Sequence, residues 1–389
     1  MLSMRAMKWV DHWVGLPLCT LLAVFCSGGK RQPPGEPRRI AVAKFFGLGS
    51  IVLSSAMVRS LRARYPRARI TFLTFAGNRR LVELTGLADE VWTVRQTALG
   101  FLADTLRLLT RLARHRPDVF IDLEFYSKYV TLLAILSGAR KRVGYHLASF
   151  WRTRVYTHPV FFNHRVHITR VYAEVARLAG TEVTERQPRR VEVPQAAWER
   201  LKRLYAEQGV QGPPIAVNVN ASDLAFCRRW PLEHFAAVLE RLAAQRDAAL
   251  VLTGSRAEAA YTERCRQLVH PDLRHRVLNA AGKMDLEMLL AFYQDALMLI
   301  SNDSGPLHLA AAQGCPTLTV WGAGDPDMYG PLGERHAFVY LDYPCSPCMY
   351  IYRTDAGHFC NRTAPCLTGI TPAMVWEKFV ELEARVARC

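Results

Sequence analysis

Chemistry is most concentrated in the stretch 297–326, LMLISNDSGPLHLAAAQGCPTLTVWGAGDP. Asp303, Ser304, Gly305 and His308 fall where a short apolar strand should turn into a helix, with Pro306 at the first helical position and Asp303 or Ser304 as its cap. A helix start aims several unpaired backbone N–H groups at one spot, and that spot attracts phosphate. Ser304 adds a hydroxyl, Gly305 admits close backbone approach, and His308 in the first turn can add a hydrogen bond. The plainer alternative is a capped strand-to-helix crossover with a core histidine. Two further groups stand out. Cys345, Cys348, Cys360 and Cys366 read C-x₂-C-x₁₁-C-x₅-C, a count and proximity suited to tetrahedral zinc, with reduced thiols or, in an exported domain, disulfides as the alternatives. Asp122 and Glu124, in VFIDLEF, are two carboxylates at the end of an apolar run.

The elements that must position these residues alternate. The strand IAVAKFF, the turn GLGS and the helix IVLSSAMVRSLRARYP lead into ITFLTF, and DVFIDLEF later precedes another helix, so the first part reads as Rossmann-like β-α-β logic with a parallel sheet. GLGS lacks the full dinucleotide fingerprint and on its own is a tight turn. The polar, turn-rich stretch 181–194 reads as a linker, after which PPIAVNVNAS, RRWPLEHFAAVLERLAA and AALVLTGS open a second α/β domain. Expected boundaries are a segment and linker at 1–37, a first domain at 38–190, a second at 191–370 and a final amphipathic helix at 371–389.

The string NDSGPLHLAAAQGCPTLTVWGAGDP resembles the donor-site signature of glycosyltransferase family 9, the lipopolysaccharide heptosyltransferases, and RRIAVAKFFGLGS, IDLEF, SGARKRVGY, RRWPLEHFAAVLERL, NAAGKMDLEMLL, CSPC and ITPAMVWEKF extend the likeness over nearly all of the chain after about Arg38. The resemblance implies a GT-B-like fold, two Rossmann-like domains facing across a cleft, with the last helix packing back on the first domain. It implies a nucleotide diphosphate held by the second domain: Ser222 at the end of its first strand region, Arg228 in CRRWP at the phosphates with Arg229 as alternative, Glu258 on ribose hydroxyls, Met284 lining an adenine, and Asp303, Ser304, Gly305 and His308 completing the site. The implied reaction is inverting transfer of a sugar, ADP-heptose or a related donor, to a lipid-linked saccharide, with no metal or other cofactor required. The sequence departs from the family at one point. Ser50 stands where heptosyltransferases often carry the aspartate that deprotonates the acceptor, and a serine hydroxyl is far too weak a base. Glu124 is the expected substitute, as the carboxylate nearer the strand end, with Asp122 positioning it or the acceptor. A nucleotide-sugar-binding scaffold without turnover and a sugar-nucleotide epimerase are the other classes the same features allow.

Composition sets the partners. Fifty basic against 34 acidic residues give a net charge of +16, favouring nucleotide phosphates or acidic membrane surfaces, and no interleaved aromatic and basic motif points to nucleic acid. Arg5, Lys8 and Trp9 precede an apolar stretch from Trp13 to Phe25 that contains Gly15 and Pro17 and is short for a bilayer span. An interfacial or re-entrant anchor at the cytoplasmic face of the inner membrane is expected, with Lys30, Arg31, Arg38 and Arg39 near anionic headgroups; a signal-anchor and a cleaved signal peptide are the rivals.

Overall fold

The computed structural model describes residues 7, 9–26, 35–147, 150–221, 226–349, 360 and 364–388. By its contacts the chain divides into two units, Met1–Pro188 and Arg189–Cys389.

In the first unit a wide π turn, Asp11–Gly15, runs into α1 (Leu16–Phe25). The sheet strands are β1 (Arg39–Ala43), β2 (Arg69–Phe75), β3 (Glu90–Val94), β4 (Val119–Asp122), β5 (Lys141–Tyr145) and β6 (His158–Val160). Between them lie α2 (Leu48–Arg64), α3 (Arg79–Thr85), α4 (Ala98–His115), α5 (Lys128–Leu136) and α6 (Phe150–Thr153), and α7 (Ile168–Ala179) follows. Their order is β3-β2-β1-β4-β5-β6, and every pairing is parallel. Near-continuous apolar runs such as β1 and β4 are what a sheet covered on both faces requires. Ala23 of α1, Leu108 and Leu112 of α4 and Val130, Leu133 and Ala134 of α5 share one core against the sheet.

The second unit repeats the plan. Its strands are β7 (Ile215–Asn218), β8 (Leu250–Leu252), β9 (Val277–Asn279), β10 (Met298–Asn302), β11 (Thr317–Trp321) and β12 (His336–Tyr340), in the order β12-β11-β10-β7-β8-β9 and all parallel. The helices are α8 (Gln195–Gln208), α9 (Leu232–Gln245), α10 (Ala259–Leu268), α11 (Leu286–Asp295), α12 (Gly305–Ala312), α13 (Pro326–Tyr329), α14 (Pro365–Thr368) and α15 (Pro372–Val386).

Two local expectations change. The first glycine turn is shorter than GLGS: only Gly47, at φ +82°, lies outside the helix, and α2 already contains Leu48, Gly49 and Ser50. The strand carrying the two carboxylates ends at Asp122, leaving Glu124 beyond it. The last helix packs on its own unit, because Val375, Trp376, Phe379 and Leu382 join the core of the second sheet and Arg246 grips Glu383 at 2.7 Å.

Both sheets reverse their winding at one place, between β1 and β4 and between β7 and β10. At such a switch point the loops leaving the strands diverge, and the carboxyl ends of the strands open a binding crevice. The residues that follow β1 and β4, and β7 and β10, therefore occupy the favoured positions of the fold.

Candidate active site

Lys44 and Glu124 follow the two strands at the first switch point. Glu124 is 7% exposed, and its Oε1 accepts from Lys44 Nζ at 3.0 Å, the Phe45 N–H at 2.8 Å and the Phe46 N–H at 2.9 Å. Oε2 makes no hydrogen bond to any described residue. One oxygen is thus anchored and the other is not. The backbone of Glu124 is held as firmly: its N–H donates to Asp122 Oδ1 at 2.7 Å, and its carbonyl accepts from Arg152 Nη2 at 2.7 Å.

Asp122 and Glu124 therefore have different work. Asp122 is fully buried, paired with Arg152 at 3.3 Å, and accepts the hydroxyl proton of Tyr156. Burial drives its carboxyl up to about 6, with Arg152 and Tyr156 opposing. Arg152 also donates to the carbonyls of Tyr145 and Phe125, at 3.0 and 2.7 Å, which satisfies a guanidinium with almost no exposure. Gly144 permits this packing, since a Cβ there would come within 2.3 Å of the Tyr156 ring. Ser50 sits in the first turn of α2, where a Cβ on Gly47 would lie 3.2 Å from its hydroxyl. Lys44, Arg152 and Tyr156 escaped the sequence reading. Lys44 alone had a local signal, a cation ending an apolar run before a glycine turn.

The second switch point gathers Arg228, Asp303, Ser304, Gly305 and His308. Ser304 occupies the N-cap of α12, yet its side chain takes none of the helix N–H groups and lies 3.2 Å from the Ser301 hydroxyl instead. Pro306 removes one donor, and the remaining first-turn donors lack the expected side-chain cap. Asp303 is buried and its Oδ2 lies 3.2 Å from Arg228 Nε, off the N–H axis, so that among the described residues Nε has no aligned acceptor. Burial raises the Asp303 carboxyl and Arg228 opposes the rise. A Cβ on Gly324 would come within 2.4 Å of Asp303 Oδ2, so that glycine makes room for the carboxylate. His308 is buried in the first turn of α12.

The choice between the two arginines is structural. Arg229 donates twice to the Ala221 carbonyl, at 3.1 and 2.9 Å, and stacks over Tyr261, whereas Arg228 faces the α12 terminus. Asn302, at the end of β10, accepts from the Trp230 N–H at 3.0 Å and donates to the Val219 carbonyl at 3.0 Å, fixing the arginine loop against the strand ends. Tyr329 stands in the same field: burial drives its hydroxyl up to about 12, with Arg228 opposing. Glu258 uses Oε2 in a capping box with Ser255, at 2.8 Å to the N–H and 2.7 Å to the hydroxyl. Met284 is half-buried in the loop before α11. Ser222 lies outside the described residues.

The cysteines meet near the turn at Gly322 and Ala323. The Cys348 N–H donates to the Ala323 carbonyl at 3.0 Å, Cys366 Sγ would sit 3.3 Å from a Cβ on Gly322, and Cys227, which the spacing did not single out, lies 3.7 Å from Met349 Sδ. Burial, then the neighbouring thiols of Cys360, Cys227, Cys366 and Cys345, push the Cys348 thiol up to about 11. Among the described residues no three His, Cys, Asp or Glu side chains are arranged to hold a metal ion. Nor is any helix among them long and apolar enough to cross a membrane.

Comparison with known proteins supplies the family. Lipooligosaccharide heptosyltransferase 2 of Haemophilus influenzae is 24% identical over 347 residues, covering 87% of this chain and 97% of that protein. The structure of Escherichia coli ADP-heptose lipopolysaccharide heptosyltransferase II superposes with a TM-score of 0.69 at 19% identity, covering 90% of this chain and 99% of the other. An E. coli heptosyltransferase with bound ADP-2-deoxy-2-fluoro heptose gives a TM-score of 0.62 at 18% identity over 88% of this chain and 99% of that one. The two parallel sheets are accordingly those of a GT-B-like fold. The model of glycosyltransferase family 9 (heptosyltransferase) matches residues 105–355, about two thirds of the sequence, including Glu124, Arg228 and the start of α12, and the chain belongs to that family of glycosyltransferases.

Proposed function

We propose that this protein transfers a heptose from ADP-heptose to a hydroxyl of a lipid-linked saccharide in lipopolysaccharide or lipooligosaccharide synthesis, with inversion at the anomeric carbon. The observation that carries the donor half is the α12 terminus, where Ser304 leaves helix N–H groups uncapped and Arg228 Nε has no aligned acceptor among the described residues. A diphosphate supplies acceptors for both. Relatives with this fold support the nucleotide: one is named for ADP-heptose and another holds an ADP-heptose analogue.

In the transfer, Oε2 of Glu124 takes the acceptor hydroxyl proton as the new O–C1 bond forms. The C1–O bond to the phosphate breaks, and its electron pair leaves on ADP. Lys44 and the two N–H groups fix the other carboxylate oxygen so that Oε2 keeps its aim. Arg228 and the α12 terminus stabilise the departing diphosphate with no metal in the step. Glu258 and Met284 serve the ribose and adenine, and Ser222, Asp303 and His308 complete the donor contacts. A zinc on Cys345, Cys348, Cys360 and Cys366 would be structural, and elemental analysis of purified protein reads it directly.

The protein works at the cytoplasmic face of the inner membrane, held there by its first 37 residues, where a lipid-linked acceptor is presented. A thermal-shift panel tests the donor reading: ADP and ADP-heptose raise the melting temperature, and UDP-sugars do so far less. No shift with any adenine nucleotide would sink it. A bound but unreacted ADP-heptose, supplied with every truncated core acceptor, would favour a scaffold instead.

A further inference from the structure

The N-terminal helix is a docked part of the first unit. Asp11 accepts the Lys128 and Tyr129 N–H groups at 3.2 and 2.9 Å, capping α5 from 117 and 118 residues away. Gly15, Cys19 and Ala23, spaced four apart, form the buried face, and a Cβ on Gly15 would come within 2.8 Å of Lys128 Cβ. The opposite face is apolar and open. Trp9 and Trp13 are each 62% exposed, and Val14, Leu18, Leu21 and Phe25 continue the stripe.

A second open stripe lies on α4, where Leu99, Leu102 and Leu106 fall on one helical face and Leu99 is 85% exposed. Tyr129 joins the two. Its N–H is held by Asp11, its ring lies 5.0 Å from Phe101, and its hydroxyl is 3.0 Å from Thr105. Phe101 and Thr105 are the chain neighbours of Leu102 and Leu106. The same ring lies 5.6 Å from Phe45, whose N–H holds Glu124.

We propose that α1 and α4 form one lipid-facing surface, fitted to an anionic bilayer, which brings the Glu124 end of the first sheet to the membrane. Exposed indole and leucine side chains partition into the interface. The surrounding charge selects the partner. Residues 98–116, which carry the α4 stripe, hold four arginines against Asp104. A second copy would bring like charge to like charge, whereas anionic headgroups neutralise it. The inference deepens the membrane part of the function proposed above and stands apart from the donor reading, because vesicle binding needs no nucleotide.

The test uses the full chain and vesicles of phosphatidylcholine with and without phosphatidylglycerol. Wild type sediments with the anionic vesicles, and a Leu99→Ser, Leu102→Ser, Leu106→Ser protein with an unchanged melting temperature binds them about tenfold or more weakly. In a separate Leu102→Trp protein the added indole emission shifts to the blue on anionic vesicles, which decides the matter even if the triple variant does not fold. Undiminished binding by the folded triple variant, or no blue shift, overturns the two-helix surface. If vesicle binding is lost only in a Trp9→Ser, Trp13→Ser protein, the N-terminal anchor stands and this inference falls. A triple variant that changes from dimer to monomer while still binding vesicles assigns the face to a second copy and likewise overturns it.

Discussion

The two switch-point sites are built on the same topology and finished differently. In the first unit Glu124 Oε1 has three donors, and the fully buried Asp122 has Arg152 and Tyr156. In the second, the N-cap side chain takes none of the helix N–H groups and the Arg228 contact to Asp303 is misaligned. A site whose partners are all internal is organised before substrate arrives, and one with unmet donors is completed by its ligand. The difference fits the two tasks proposed above, since a base must be held in place while a diphosphate can bring its own acceptors.

The strongest way to break this comparison is Glu124→Gln. Turnover should fall roughly 10²–10⁴-fold while ADP binding, measured by calorimetry, is unchanged. Full activity would remove Glu124 from the mechanism; loss of ADP binding would mean that the two sites are not separable. Next in size is Arg152→Met, which strands Asp122 in the core and should cost about 3–5 kcal/mol in denaturant unfolding. Little change would show that the network is not the support described.

How far these residues could be read without coordinates depends on where their partners lie. The D-S-G unit, the alternation of strands and helices and the pair Asp122 and Glu124 were legible because each is a local pattern, with capping, periodicity and strand-end position written within a few residues. The direction of the N-cap hydroxyl was not, because Ser301, a strand residue, competes for it. The supports were hidden for a related reason. Lys44 reaches Glu124 across 80 residues and Asn302 reaches Trp230 across 72, pairings made by parallel strands meeting at a switch point. Arg228 and Arg229, adjacent and alike in sequence, are separated only by what the fold places beside each: a buried carboxylate for one, a carbonyl and a tyrosine ring for the other.

That separation gives the third prediction. Arg228→Ala should weaken ADP binding about 30-fold, roughly 2 kcal/mol for a charged hydrogen bond, while Arg229→Ala should act on stability and leave ADP affinity within a few-fold. Equal loss in both would erase the distinction.

The smallest effect is a pH contrast between the units. Burial lowers His336, in β12, to about 4, so its contribution to stability is present above its ordinary value near 6.5 and is lost as pH falls toward 4. Asp122, raised to about 6, has the opposite sign: its contribution is complete below about 3.8 and is lost as pH rises through 6. Moving from pH 7 to pH 5 should therefore weaken the second unit by about 2 kcal/mol and strengthen the first by about 1 kcal/mol. Hydrogen exchange followed strand by strand reads both, and His336→Gln should remove the acid sensitivity of β11 and β12. Parallel responses in the two sheets would contradict these assignments.

The capping of α5 by Asp11 also sets an order of events during synthesis. The bond joins residues 117 positions apart, so at about 5–20 residues per second the ribosome takes roughly 6 to 23 seconds to deliver Lys128 after Asp11 has been made. Through that interval the Gly15, Cys19 and Ala23 face is without α5, against which it is buried in the finished chain. An apolar face made early in the first unit thus waits for a helix start made more than a hundred residues later.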